Sequence, residues 1–383
     1  MKKNKKIFMF AGEPSGDLHG SHLIHALKKL DSDYTIEAVA GPLMRNEKIN
    51  VFMQMEEFAV MGFSDVILSL PSLIRKFYKI RNHILNFKPD VVILIDYPVF
   101  NLRLATHLRK KGFTGKIIQY ICPTVWAWGK NRIQKMNESL DLLLTIYPFE
   151  KDHFSNLPLQ VEYVGHPISQ TIQNHGYTSF ESEANDYLIA LFPGSREGEI
   201  KRNLNKILIS AIKLKELEPK AKFAISIAND KVEPLIHEII NSSALSKDNF
   251  YLVPKNKTYE LMRACRTAIA KSGTVTLELA LHKKPTVVVY ELSILNRFIA
   301  KYIMRVNLPY YCIVNILTGK ETFPELIKNG FTTGNLSKHL IELSQDSEKR
   351  TDCIEECEKI RTLLQGSDAH EKAALSISKL LSS

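Results

Sequence analysis

Short apolar runs recur along the chain, separated by longer stretches in which hydrophobic positions return every three or four residues. The runs Ile7 to Phe10, Thr35 to Ala40, Val91 to Ile95, Lys116 to Ile121, Leu142 to Tyr147 and Val161 to Val164 predict strands, and the stretches between them predict helices. Val91 to Ile95 is apolar throughout, as expected of a parallel strand covered on both faces. After the polar stretch Asn174 to Asp186, a second series starts: Leu188 to Phe192, Phe223 to Ile227, Phe250 to Val253, Thr267 to Ala270 and Thr286 to Tyr290. The pattern is doubly wound α/β, with two Rossmann-like halves and a cleft expected between them, faced by the carboxyl ends of both parallel sheets. The boundaries it predicts are residues 1–180, 181–345 and 346–383. The last segment reads as helices broken at Gly366 that pack across both domains.

Two helical segments combine apolar and basic faces. In Ile294 to Arg305 the apolar positions alternate with Arg297, Lys301 and Arg305, the pattern of a helix lying in a membrane interface. Met61 to Leu85 joins Phe63, Val66, Ile67, Leu70 and Ile74 to Arg75, Lys76, Lys79 and Arg81. An ordinary core-facing amphipathic helix has the same period.

Composition narrows this picture. With 383 residues, 45% of them hydrophobic and 24% charged, the chain has ample core, and no apolar run reaches the ~20 residues of a membrane span. The basic start at Met1 to Lys6 is followed by too short an apolar stretch for a secretory signal, so a cytoplasmic location is expected. Five cysteines without C-x-x-C spacing point to free thiols rather than a zinc site, with Cys353 and Cys357 packing on one helical face. A net charge of +10 favours an anionic partner, whether nucleic acid, phosphorylated small molecule or acidic membrane. No recognised nucleic-acid-binding motif accompanies it.

The candidate chemistry lies where strands run into helices. Ala270-Lys-Ser-Gly-Thr-Val-Thr-Leu-Glu278 is a strand, a small-residue turn and a helix start, whose unpaired N–H groups suit a phosphate. Glu278 suits ribose hydroxyls, so Ser272, Gly273, Thr274 and Glu278 suggest a nucleotide diphosphate site; a plain capped turn is the alternative. Leu191-Phe-Pro-Gly-Ser-Arg196 repeats the logic, with Gly194, Ser195 and the fixed cationic fork of Arg196, for which an interdomain salt bridge is the alternative. Ala11-Gly-Glu-Pro-Ser-Gly-Asp17 follows the first strand; it lacks G-x-G-x-x-G, and the chain has no Walker loop. There Gly16 lets the backbone approach a substrate while Glu13, Ser15 and Asp17 offer hydroxyl-binding groups. Asp96 ends the Val91 to Ile95 strand, where partial desolvation would let it accept a proton from an alcohol; capping the following helix is the competing role. His166 closes the last strand of the first half, as an acid, a base, a hydroxyl partner or a hinge. Trp126 and Trp128 suit a sugar, an acyl chain or the core. Asp31-Ser-Asp33 is a D-x-D in a polar turn, and no metal is expected.

Taken in order, Ala11 to Asp17, Ile95-Asp-Tyr-Pro98, Tyr120-Ile-Cys-Pro-Thr-Val-Trp-Ala-Trp128, Gly165-His-Pro167, Phe192 to Arg196 and Ser272 to Thr274 with Glu278 resemble the lipid-A-disaccharide synthase family. The resemblance runs from residue 7 to roughly residue 330. It implies a GT-B glycosyltransferase that joins UDP-2,3-diacylglucosamine to 2,3-diacylglucosamine 1-phosphate, releasing UDP and forming a β-1,6 linkage. That family works at the cytoplasmic face of the inner membrane of Gram-negative bacteria.

The resemblance maps nucleotide-sugar binding onto Gly194, Ser195, Arg196, Ser272, Gly273, Thr274 and Glu278, and the essential strand-end aspartate onto Asp96; Glu13 and Asp17 of the first loop are further candidate catalytic carboxylates on their own residue types. Tyr310-Tyr-Cys-Ile-Val-Asn315 resembles a late donor-side segment and adds Asn315. Ser15 and Gly16 would face the acceptor, and Met61, Phe63, Val66, Ile67 and Leu70 its acyl chains. No metal or other cofactor is implied; an anionic membrane surface is, nucleic acid is not, and subunit number stays open, a homo-oligomer included. Val99 stands where some relatives carry a second aspartate, and Cys312 and Val314 where Ser and Pro are common. A UDP-N-acetylglucosamine 2-epimerase would share the architecture without a lipid acceptor.

Overall fold

Strands β1 (Lys6–Ala11), β2 (Thr35–Ala40), β3 (Asn50–Gln54), β4 (Val91–Ile95), β5 (Lys116–Tyr120), β6 (Leu142–Thr145) and β7 (Gln160–Tyr163) pair in parallel in the order β3-β2-β1-β4-β5-β6-β7. Strands β8 (Leu188–Phe192), β9 (Lys222–Ser226), β10 (Phe250–Val253), β11 (Thr267–Lys271), β12 (Thr286–Tyr290) and β13 (Glu325–Ile327) form a second parallel sheet, ordered β10-β9-β8-β11-β12-β13. Both are Rossmann orders, in which the chain reverses direction across the sheet, here between β1 and β4 and between β8 and β11. Ligands of such sheets bind outside the carboxyl ends of the strands at those reversals. The computed structural model describes residues 4–58, 63–125, 131–180, 187–242, 250–291, 308–366 and 368–382, with side chains described except at 63–70 and 131.

The strand period explains the core of the first sheet. Ile7, Met9 and Ala11 of β1 pack on one face with Ile93 and Ile95, while Phe8 and Phe10 pack on the other with Val92 and Leu94. Helix α1 (Pro14–Leu30), through Leu23, Ile24 and Leu27, covers the first face; α3 (Phe63–Phe87) and α4 (Pro98–Lys110) cover the second. Between α1 and α3 lies the short α2 (Pro42–Asn46), and α5 (Asn131–Ser139) and α6 (Pro167–Gln173) follow α4. The second sheet carries α7 (Glu197–Leu217), α8 (Glu233–Ser242), α9 (Thr258–Ala264) and α10 (Thr274–Leu281).

The chain divides into two compact units, Met1–Gln170 with Gly366–Ser383, and Thr171–Gln365. Residues read as the start of a polar linker pack on the second unit: His175 Nε2 and Thr178 both meet Glu260, and the Tyr177 hydroxyl meets His282 Nε2 at 2.8 Å. The terminal helices divide between the units. Glu348–Leu364 lies in the second, with Cys353 and Cys357 buried, and Ala369–Ser382 lies in the first, with Ala373, Ala374 and Ile377 in its core. All five cysteines are free and buried. The amphipathic segment Ile294 to Arg305 lies outside the described residues.

Candidate functional site

In the first unit, the carboxyl ends of β1, β4 and β5 bring the loop at residues 11–15 against Asp96. Pro14 opens α1 after Glu13, the extended N-cap residue. The Ser15 hydroxyl then donates to Asp96 Oδ2 at 3.0 Å. Gly12 permits this close approach, since a Cβ there would stand 2.9 Å from the Tyr97 ring.

Asp96 and Tyr97 both have left-handed backbone, at φ +49° and +50°, and Ile121 beyond β5 has φ +73°. Such conformations cost of order 1–3 kcal/mol each in non-glycine residues and persist only where surrounding groups hold them. Two buried amides do so here. Asn101 donates to the Asp96 carbonyl, and Gln119 Nε2 donates to the carbonyls of Asp96 at 3.2 Å and Ile121 at 3.1 Å. The Asp96 N–H is fixed in turn by the Tyr120 carbonyl at 3.0 Å. The aspartate carboxylate is thus presented by an over-determined turn, close to His19, whose imidazole burial pushes down to about 4 and the Asp96 charge pulls partly back. His19 is therefore neutral at physiological pH.

Asp17 has a different place. Its two oxygens accept the N–H groups of Leu43 at 2.9 Å and Met44 at 3.0 Å, and the residue is 2% exposed. Asp17, expected as a hydroxyl-binding or catalytic carboxylate, caps α2, where backbone donors at the helix start attract it. Gly16 is buried with only ordinary contacts around the position of a Cβ.

Beside Glu13 and Tyr97, a cavity of about 680 Å³ runs between α3 and α4. Leu73, Ile74, Phe77, Tyr78, Val99 and Phe100 line it, with Arg103 and His107 further along α4. Of the residues expected to be lipid-facing, Phe63, Val66, Ile67 and Leu70 belong to α3, immediately before this groove, with only their backbone described; Met61 lies outside the described residues, as do Trp126 and Trp128.

In the second unit a cavity of about 530 Å³ sits at the carboxyl ends of β8, β9 and β11, across the chain reversal. Gly194, Ser195, Gly273, Thr274 and Glu278 line it as the sequence predicts. Gly194 has φ +129°, and a Cβ there would meet Glu199 at 2.7 Å, so both backbone and space call for glycine. Arg196 is the exposed N-cap residue of α7, next to this lining rather than in it. Ser272 donates its N–H to the Val289 carbonyl at 3.0 Å, and so fixes the turn from behind. Glu278 accepts the Tyr259 hydroxyl at 2.9 Å; burial pushes its carboxyl up and that hydrogen bond opposes the shift.

Sequence reasoning missed several side chains of this cavity, Lys271, Glu199, His175 and Tyr259 among them. Lys271 Nζ pairs with Glu199 at 2.9 Å, and Glu199 Oε2 also accepts the Ser195 N–H at 3.2 Å. Burial alone would push Glu199 up; Lys271 and the Ser195 N–H hold it below the usual carboxylate range. His175 stands edge-on to Tyr259 at 5.0 Å. Lys271 could have been noticed, since it ends the strand directly before Ser272.

Asn315, expected on the donor side, lies apart from the lining of this cavity. It is fully buried, and its amide donates to the Phe323 carbonyl and Glu325 and accepts the Phe323 N–H, each at 2.8 Å. It ties the helix Ile313–Thr318 to β13. His166 accepts the Ile168 N–H through Nδ1 at 3.2 Å at the start of α6, and burial, with His19 nearby, holds its imidazole down to about 3, so it is neutral at physiological pH. Among the described residues no three His, Cys, Asp or Glu side chains converge so as to hold a metal ion, and no helix is long and apolar enough to cross a membrane.

The chain matches the model of the lipid-A-disaccharide synthetase family over residues 7–378. It is 40% identical over 328 residues to a lipid-A-disaccharide synthase of Chlamydia felis, covering 85% of this chain and 52% of that protein. It is 33% identical over 340 residues to one of Geobacter sulfurreducens, covering 88% and 86%. The chain thus spans about half the length of that chlamydial relative. Among solved structures, a putative UDP-N-acetylglucosamine 2-epimerase from Listeria monocytogenes superposes with a TM-score of 0.65 at 12% identity, covering 98% of this chain and 96% of that one, a likeness of fold alone.

Proposed function

The chain belongs to the lipid-A-disaccharide synthetase family, and from that premise we propose that it is an inverting glycosyltransferase of the two-domain GT-B fold. The donor is UDP-2,3-diacylglucosamine, the acceptor 2,3-diacylglucosamine 1-phosphate, and the products are the β-1,6-linked disaccharide 1-phosphate and UDP. The carrying observation is Asp96, held by Ser15 and by a strained turn at the carboxyl end of β4, beside an apolar groove. The groove suits the acyl chains of a lipid sugar. A 2-epimerase acting on a soluble sugar nucleotide would have no use for it.

In this reading Asp96 takes the proton of the acceptor 6-hydroxyl as that oxygen bonds to the donor anomeric carbon from the face opposite UDP. The bond from that carbon to the diphosphate oxygen breaks, and its electron pair leaves with UDP. The N–H groups at the start of α10, the Gly194–Ser195 turn, Arg196 and Lys271 stabilise the charge that develops on the diphosphate. Glu278 accepts from the ribose hydroxyls. No step calls on a metal ion. The enzyme works at the cytoplasmic face of the inner membrane, held by basic and apolar surface on anionic lipid.

Asp96→Asn tests the assignment, because it keeps shape and removes the base. Turnover is expected to fall by roughly 10²- to 10⁴-fold with donor KM within about two-fold of wild type. Near-normal turnover would refute Asp96 as the base.

A further inference from the structure

The groove between α3 and α4 is apolar along most of its wall, yet among the described residues of its lining it carries one permanent cation. Val99, Arg103 and His107 succeed one another at four-residue intervals on the face of α4 that lines it. Across from them stand Leu73, Ile74, Phe77 and Tyr78 of α3. Arg103 is exposed, and its guanidinium makes no ion pair with any described residue. His107 Nδ1–H donates to the Arg103 carbonyl at 2.8 Å, and its ring lies edge-on to Phe77 at 5.2 Å, so this histidine is held against the groove wall. The one acidic residue among the described residues of the lining, Glu13, stands beside Tyr97, the neighbour of Asp96.

The groove therefore has a sense of direction. Its Glu13 and Tyr97 end adjoins the base. Arg103 is the sixth residue of α4, about 7–8 Å along the helix axis from its first, a distance comparable to one hexose ring. A neutral lipid would leave this exposed guanidinium to solvent, with no group of the ligand paired to it. An acylated sugar carrying a phosphomonoester across the ring from its reacting hydroxyl would place chains against Leu73, Ile74 and Phe77 and its phosphate at Arg103. The planar fork of arginine matches phosphate oxygens in pairs.

We propose that Arg103 recognises the anomeric phosphate of the acceptor and makes this site selective for a phosphorylated over an unphosphorylated acyl sugar. The inference rests on the glycosyltransferase reading above and adds to it the group that reads the acceptor's charge.

The test is equilibrium binding of 2,3-diacylglucosamine 1-phosphate and of the same lipid without phosphate, in neutral-detergent micelles, to wild type, Arg103→Met and Arg103→Lys. Wild type is expected to prefer the phosphorylated lipid by roughly ten- to a hundred-fold, the range of a charge-assisted hydrogen bond. Arg103→Met brings the two affinities within about two-fold by weakening only the phosphorylated ligand, and Arg103→Lys restores part of the preference. Retention of the preference in Arg103→Met, equal weakening of both lipids, or no preference in wild type would overturn the proposal. Phosphatidylglycerol in the same micelles tests the other source of phosphate: an equal Arg103-dependent gain for it would assign the residue to the bilayer and overturn acceptor recognition. Disaccharide formation in parallel samples reports on the glycosyltransferase reading separately, so failure of turnover and failure of phosphate selectivity are told apart.

Discussion

Replacing Gln119 by leucine removes the amide that ties two strained turns together without touching any group assigned to substrate. Gln119 is 3% exposed and points its Nε2 at the carbonyls of Asp96 and Ile121, both left-handed residues. With Tyr97, three non-glycine residues hold positive φ within this one corner, which amounts to about 3–9 kcal/mol of local strain. Leucine would leave the Ile121 carbonyl without that donor, a loss of about 1–3 kcal/mol, and the corner would relax toward unstrained backbone. Asn101 still grips the Asp96 carbonyl, so the expected result is displacement rather than collapse. A shift of about 1 Å in a reacting group costs roughly 10²-fold in rate. Steady-state UDP release by Gln119→Leu should therefore show kcat reduced by roughly 10- to 100-fold with donor KM within about two-fold. Faster amide hydrogen exchange is expected over residues 91–101 and 116–122. Gln119→Glu should be worse near neutral pH, because it aims lone pairs at two carbonyls. A kcat within about three-fold of wild type in a folded Gln119→Leu protein would refute the argument that this turn sets the position of Asp96.

Lys271→Met should raise donor KM by roughly 10- to 100-fold while also destabilising the second unit, since it strands the buried Glu199 carboxylate. Adding Glu199→Gln should recover the stability but not the affinity, measured by thermal unfolding and nucleotide binding. The Glu199 pairing also has a predictable pH dependence: its carboxyl is held below the ordinary 4.5, so its contribution is complete above that value and is lost as pH falls through the lowered one. Four imidazoles, two buried and two partly buried, act at higher pH. Burial lowers His19 and His282 to about 4 and His166 and His370 to about 3, from an ordinary 6.5. The unfolded chain binds protons there that the native one does not, so stability should decline steadily as pH falls below about 6.5 toward those values. A melting temperature flat between pH 7 and pH 4 would contradict this.

The architecture was largely legible because buried parallel strands such as Val91–Ile95 leave continuous apolar runs, and strand-to-helix turns leave glycine and serine at the carboxyl edges. Two strands escaped, β3 and β13. Both are edge strands, and Asn50, Gln54 and Glu325 make them polar at their ends. The cavity of the second unit was readable from Ser272 to Glu278 because local backbone geometry creates it. The supports of Asp96 were not, because Gln119 gains its meaning only from a neighbouring strand, although a glutamine inside the apolar run Lys116–Tyr120 was a signal. The contacts of Asp17 and Asn315 were hidden for the same reason: polar side chains answer to whichever backbone groups lie closest in space, here α2 and the segment leading into β13.

Incubating the purified protein with UDP-2,3-diacylglucosamine and 2,3-diacylglucosamine 1-phosphate in detergent micelles containing EDTA, with mass spectrometry of the products, tests the central claim. Equimolar UDP and β-1,6-linked disaccharide 1-phosphate, formed at an undiminished rate under chelation, is the predicted result. UDP release without disaccharide, or an epimerised sugar nucleotide in its place, would contradict it.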